Sequence, residues 1–222
     1  MLHTTIRSRL LLLFLSTIGL IFIGGCEFPG IVAAKLLPAQ TIQPKYAGFQ
    51  GQSIGVLVWT DRGEQMDFPS LSLDLANSIH KKMLGNTDKP DLKGAIFPVP
   101  PASIARYVVD HPDFDNRHIT EIAPRFGVTR LVYVEVDDFG TRAPASIELF
   151  RGHMECNIQV VEITGDRARV AYQESGIKAY FPPKVPEDGT PDGDDIRFYN
   201  GTVDAMSTEV VNRLVAHDAP EE

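Results

Sequence analysis

Cysteine is scarce and cationic charge is in deficit. The 222 residues hold two Cys, one Trp and 21 Lys+Arg against 29 Asp+Glu, for a formal net charge of −8. Two cysteines cannot build the disulfide framework that staples small secreted domains. An acidic chain without a dense basic patch is unsuited to a phosphate backbone, so nucleic acid is excluded as a partner. Hydrophobic residues at 43% and charged residues at 23% match ordinary globular usage and exclude wholesale disorder. Catalytic signatures are missing as well. One Gly-x-Ser-x-Gly pattern occurs, Gly51-Gln52-Ser53-Ile54-Gly55, but it leads into an apolar strand run and not out of one into a helix, so it is no nucleophile elbow, and there is no Gly-x-x-x-x-Gly-Lys-Ser/Thr phosphate loop. It shows no internal repeat, and its apolar runs fall short of the roughly 20 residues of a transmembrane helix.

The most specific signal lies at the N-terminus. Residues 1–9 carry Arg7 and Arg9 and no acid. Residues 10–23 are apolar except for Ser16, Thr17 and Gly19, and the run stops at Gly24-Gly25-Cys26. A positive segment followed by about 14 apolar residues reads as a secretory signal peptide over 1–25. Ile23-Gly24-Gly25-Cys26 resembles a bacterial lipobox. Small residues before the cysteine suit the signal peptidase, and a thiol is nucleophilic enough to take a diacylglyceryl group as a thioether. The alternative is an ordinary signal with a cysteine nearby by chance. Lipidation of Cys26, by diacylglycerol and an N-acyl chain, is the only modification expected, and no cofactor is. A lipid anchor makes the membrane a partner and places the chain in a bacterial envelope with its domain facing the periplasm. Glu27 stands where an Asp would act as an inner-membrane retention signal in enterobacterial lipoproteins, which favours the outer membrane.

Residues 26–50, with Pro29, Pro38 and Pro44 among small polar residues, read as a lipidated tether, with a short amphipathic turn over 31–37. A single α/β (α+β) domain is expected over 51–217 and an acidic tail over 218–222. Residues 53–59 (Ser-Ile-Gly-Val-Leu-Val-Trp) form a continuous apolar run, the pattern of a central strand covered on both faces. Leu71, Leu75, Ile79 and Met83 at i+4 spacing give a helix opened by Pro69-Ser70 and closed by Gly85-Asn86. Residues 94–99 read as a second short strand. Pro101, Ile104, Ala105 and Val108 mark a second helix, and Ile119, Ile122, Ala123 and Phe126 a third, with Pro124 in it and Gly127 as its stop. Residues 131–136 form the next strand. Residues 147–163 and 168–180 are two long strands joined at Gly165-Asp166. A last helix over 196–216 aligns Val203, Met206, Val210 and Leu214. The expected architecture is a mixed sheet with a long antiparallel hairpin and helices packed on it.

The stretch Ile122-Ala123-Pro124-Arg125-Phe126-Gly127-Val128-Thr129-Arg130-Leu131-Val132-Tyr133-Val134-Glu135-Val136 passes from helix to strand through an aromatic-Gly-Val step. With the strand at 54–59, the polar break at Asp61-Arg62-Gly63 and the helix from Ser70, it resembles a periplasmic α/β domain. That domain occurs in the curli secretion channel lipoprotein, the penicillin-binding-protein activator lipoproteins and the N-terminal domain of the Tol-Pal translocation protein. The resemblance covers residues 50–180 in order of elements. It implies a noncatalytic lipoprotein domain that binds other envelope proteins or assembles with itself. A membrane-crossing hairpin needs alternating lipid-facing residues. The hairpin here carries Glu148, Arg151, Glu155, Glu162, Arg167, Arg169 and Glu174, which suits water.

Chemistry-bearing residues are few. Cys156, without an intrachain partner once Cys26 is acylated, reads as a small buried hydrophobe on a strand. His153 and Cys156, three apart on a strand, point to opposite faces, so no metal site is expected. His80, followed by Lys81-Lys82, reads as part of a solvated helix face. Ser70 and Ser103 read as cap and turn residues. Glu135 and Asp137 share a strand face with Asp138 beside them, and read as the solvated end of that strand. The acidic loop 187–195 reads as solubilising. Asp61 and Arg62 follow the first strand, where open α/β sheets place ligands, although a simple turn accounts for them. Tyr180 and Phe181, beside Pro182-Pro183, mark the candidate partner surface. No catalytic residue is assigned.

The function expected is therefore that of a noncatalytic, lipid-anchored envelope protein acting through protein–protein contacts in envelope assembly or maintenance. A self-assembling secretion or export component is the first alternative. A small-ligand binder or enzyme is the second, and it requires a deep pocket with clustered ionisable groups at Asp61 and 135–138.

Overall fold

The computed structural model describes residues 40–144, 146–184 and 188–219. The signal peptide, the lipobox residues Ile23, Gly24, Gly25 and Cys26, the turn at 31–37 and residues 220–222 lie outside them. The chain divides into two compact units. One is Thr41–His217. To the other belong Gln40, Asp218 and Ala219, where the Ala219 N–H donates to the Gln40 carbonyl at 2.9 Å.

Four strands make the sheet of the larger unit: β1 (Ile54–Thr60), β2 (Arg130–Ala143), β3 (Ser146–Thr164) and β4 (Arg167–Phe181). They lie in chain order, β1 parallel to β2 and the rest antiparallel. Five helices accompany them: α1 (Arg62–Asp67), α2 (Leu71–Leu84), α3 (Pro101–Asp110), α4 (Ile119–Ile122) and α5 (Asp195–Leu214). The mixed α/β architecture and the long hairpin of β3 and β4 are as the sequence predicts.

Two apolar clusters sandwich the sheet. On one face Val56, Val58, Val132, Val134, Ile158 and Val160 meet the stripes of α2 and α5. Leu71, Leu75, Ile79 and Met83 are fully buried there, as are Met206, Val210 and Leu214. On the other face Leu57, Leu131, Val161 and Ile163 meet Ile104 of α3, Ile119 and Ile122 of α4, and Phe114 and Phe126. Burying side chains on both sides explains the unbroken apolar runs in β1 and the start of β2.

β1 is nevertheless an edge strand, not a central one. A continuous apolar run reports two covered faces and is silent on how many hydrogen-bonded neighbours a strand has. The segment 94–99 is no strand. It meets Gln52 and the first residue of β1 at Ile96, whose N–H donates to the Gln52 carbonyl at 2.9 Å and whose carbonyl accepts from the Ile54 N–H at 2.8 Å. Pro98 and Pro100 lack the N–H groups that would extend the ladder.

The third predicted helix is split. α4 ends at Ile122 and a 3₁₀ turn follows over Ala123–Phe126. Pro124 removes an N–H from the ladder, and the tighter turn needs fewer bonds. Gly127 then takes φ +68°, the left-handed stop that a side chain would strain.

The domain starts earlier than residue 51. The larger unit begins at Thr41. Phe49 is fully buried and Tyr46 nearly so, in the α2/α5 cluster. The Tyr46 hydroxyl donates to Glu162 and accepts from Arg130 Nε, both at 2.9 Å. Residues 41–50 are thus core and clasp, not tether.

Candidate functional site

β2 runs for 14 residues instead of stopping at 136, and turns back into β3. The carboxylates at 135–138 therefore lie inside a strand, not at its solvated end. A bulge at Asp137 separates them. Glu135 pairs with Asn157 and Asp138 with Glu155. Asp137 accepts two hydrogen bonds from Asn157 Nδ2, at 3.0 and 2.7 Å. Burial, and secondarily the neighbouring Asp137, push the Glu135 carboxyl upward.

Glu135 faces a cavity of about 230 Å³ on the α3/α4 side of the sheet. Trp59, Tyr133 and Gln159 line it from the strands, and Phe114, Arg117 and His118 from the segment between α3 and α4. Strand register brings the first set together: Trp59 lies beside Glu135 on the parallel pair, and Tyr133 beside Gln159 on the antiparallel one. The Gln159 Oε1 is buried and accepts no hydrogen bond among the described residues. Arg117 is held by Asp113 at 2.5 Å. A neighbouring cavity of about 450 Å³ shares Trp59 and Phe114 and includes Arg62, Gln65 and His111.

Asp61 has a local task. Its Oδ1 accepts from the Glu64 N–H at 2.9 Å and caps α1, a helix that replaces the expected simple turn. An Asp at the N-cap with an acid three residues on is a legible helix-start pattern that the sequence carried. Arg62 lines the larger cavity. Asp61 does not join 135–138 in one pocket, as an ionisable catalytic cluster requires.

Further along the same face, β2, β3 and β4 run beyond the α3/α4 cluster. Residues 151–160 alternate half-exposed and buried without a break. The outward side chains Arg151, His153, Glu155, Asp138, Lys178 and Tyr180 line an open depression of about 580 Å³. His153 Nε2 lies 3.3 Å from Asp138, Lys178 lies 3.1 Å from Glu155, and the Arg151 guanidinium sits 4.8 Å from the centre of the Tyr180 ring. Gly140 makes room for the imidazole, since a Cβ there would fall 2.4 Å from His153 Cε1.

Tyr180 and Phe181 part company, as neighbours on a strand must. Tyr180 is 42% exposed. Phe181 turns inward and packs edge-on to Phe198 of α5, with ring centres 5.6 Å apart. Only Tyr180 serves an outer surface. Cys156 is fully buried with its Sγ 3.3 Å from Met206 Sδ, and burial pushes its thiol up to about 12. His153 stands on the opposite face from it, as the spacing predicts. No cluster of three metal-ligating side chains occurs among the described residues.

Other residues depart from expectation. His80 is not on a solvated face. It packs 5.2 Å from Phe97, its Nδ1 is buried with no hydrogen-bond partner among the described residues, and burial lowers its pKa. Ser70 stands at the start of α2 without capping it, its hydroxyl lying 3.1 Å from that of Tyr199. In the acidic loop Asp194 caps α5, and Asp195 pairs with Arg142 at 2.7 Å, so two of its acids are structural. Gln159, Trp59, Phe114, Arg117 and His118 were not singled out from the sequence. The available signal was polar Glu135 and Gln159 within strands otherwise rich in valine.

No protein-family model matches the chain, and no curated protein matches it. Solved structures overlap with it weakly. The hypothetical protein CT253 from Chlamydia trachomatis aligns at 13% identity and TM-score 0.37, over 72% of this chain and 98% of that one. Lipoprotein GNA1162 from Neisseria meningitidis aligns at 14% and 0.41, over 72% and 98%. The PelC dodecamer from Paraburkholderia phytofirmans aligns at 6% and 0.41, over 78% and 96%. Scores this low give the likeness no weight for fold or function. Among the described residues no helix is long and apolar enough to cross a membrane.

Proposed function

We propose that this chain is a lipid-anchored protein of the bacterial cell envelope that acts by protein–protein contact and not by catalysis. The observation that carries the contact is the open polar face of the long strands around Arg151, His153 and Tyr180. It combines an exposed aromatic, an arginine and charged neighbours, the side-chain types that interfaces favour. The sequence Ile23-Gly24-Gly25-Cys26 supplies the anchor. Each acyl CH₂ buried contributes roughly 0.8 kcal/mol, so several chains hold a protein stably on a bilayer. Glu27 at the second position supports the outer membrane. The resemblance in order of elements to the curli-channel, synthase-activator and Tol-Pal domains supports the same assignment by analogy.

Crosslinking in intact host cells, followed by affinity capture and mass spectrometry, tests this. A Cys26→Ser chain is the unanchored control. The expected result is one envelope protein enriched with the anchored form and lost with the control. Ladders of self-crosslinked chain alone point instead to a self-assembling export component, and turn the next measurement to oligomer size. Release of the Cys26→Ser chain from the membrane fraction checks the anchor separately.

A further inference from the structure

The cavity beneath Phe114 has a chemistry that the contact surface does not use. Its lining includes Glu135, for which the described residues supply no ion-pair partner, and the carboxamide of Gln159. Gln159 Oε1 is buried and takes no hydrogen bond from the described residues, and a buried carbonyl oxygen without a donor is costly. The Glu135 carboxyl is next to it on the same face, half-buried. Three aromatic rings, of Trp59, Tyr133 and Phe114, complete the lining. Aromatic faces attract cations, and do so more strongly where water is excluded.

The charge at the rim is already balanced. Arg117, the one Arg or Lys among the described lining residues, is paired with Asp113 at 2.5 Å. His118 turns its Nδ1 to the Thr120 hydroxyl at 3.0 Å. Among the described lining residues Glu135 is therefore the acid for an occupant to meet. The volume of about 230 Å³ lies below the range of drug-sized pockets and suits a molecule of a few heavy atoms or the tip of a longer one.

We infer that this cavity binds a small organic primary ammonium group. Its N–H donors meet Glu135, and reach Gln159 Oε1 through a turn of the carboxamide that brings this closed-off oxygen to the cavity, while the alkyl part lies against Trp59 and Tyr133. Neither catalysis nor the partner surface is needed for it. The site is about recognition: a three-donor cation meets two acceptors and a ring of π-faces, whereas a carboxylate would meet Glu135 and be repelled.

The single tryptophan of the sequence is Trp59, so its fluorescence reports this cavity and the neighbouring one that shares the ring, and the Glu135 and Gln159 variants tell the two apart because those side chains line only the first. The experiment titrates the full lipidated chain in detergent with n-butylammonium chloride, and separately with butanoate and n-butanol as shape-matched controls. The expected result is a saturable change with the ammonium and none with the carboxylate or the alcohol. Glu135→Gln, which keeps the shape, weakens the ammonium response by about tenfold or more, the loss of one charge-assisted hydrogen bond. Gln159→Leu is the second variant and weakens it in the same sense, so that one unfolded variant does not end the test. Absence of a saturable change, an equal response to the alcohol or a response to butanoate overturns the inference. So does an unchanged affinity in a folded Glu135→Gln chain.

Discussion

Glu174 sits on β4 where three donors converge. Lys45 Nζ reaches it at 2.9 Å, Arg213 Nε at 3.1 Å, and the Tyr172 hydroxyl donates to it as well. Burial alone raises its carboxyl, but the hydrogen bonds from Lys45, Tyr172 and Arg213 outweigh that and hold it at about 2, from an ordinary 4.5. A depressed folded pKa stabilises the fold above the unfolded value and loses that contribution as pH falls from 4.5 toward 2. Glu174→Gln should therefore be less stable than the wild type at neutral pH, with the gap closing through that acid window. Denaturant midpoints measured across the window check it, and a pH-independent gap would show that the carboxylate charge is not what matters. Cys156 gives a sharper test. Its thiol is buried and pushed up to about 12. In the Cys26→Ser chain a thiol reagent should find no reactive cysteine under native conditions and one after denaturation. Rapid native labelling would mean that β3 opens locally.

At the level of elements, helix faces were the most legible part of the chain. The stripe Leu71, Leu75, Ile79 and Met83 predicts α2, and each of those side chains is fully buried. Leu75→Ala is expected to cost about 2–5 kcal/mol, through lost transfer and a residual cavity, as read by chemical denaturation. Phe49→Ala should cost about as much, although its segment reads as linker. Pro44, Gly48 and small polar neighbours dominate its composition, and two rings with distant partners leave no local period. The end of β2 was hidden for a similar reason. Three acids at 135–138 look like an exit to solvent, yet the strand keeps its hydrogen bonds while one face of it is wet. α1 was hidden by its length, since six residues bury no side chain and leave no stripe. The cavity around Glu135 needed the register of three strands, which depends on a parallel pairing across some seventy residues and a bulge that no local pattern encodes.

On the scale of the whole unit, the sheet is used unevenly. One face is covered by α2 and α5 along its length. The other is covered by α3 and α4 over its first part, where Leu57, Leu131 and Val161 are buried. Past Glu135 the same face turns polar, and the alternation of buried and half-exposed residues in β3 continues unchanged. A strand needs no polar ornament to stay folded there, because its inward side chains Met154, Cys156 and Ile158 already anchor it. The outward set lies on the other face, away from those anchors. That separation makes the contact proposal testable without disturbing the core. Arg151→Glu with Tyr180→Ala should abolish the partner crosslink while moving the melting midpoint by only about 2 °C. Met66→Ser, at an 84% exposed side chain on α1, should leave both unchanged. Crosslinking that survives the double substitution would remove this face from the interface. A collapse in melting temperature would instead assign Arg151 and Tyr180 to holding the strands. The fold predicts that the two effects separate, because the side chains that build the core and those that face outward occupy opposite sides of one strand.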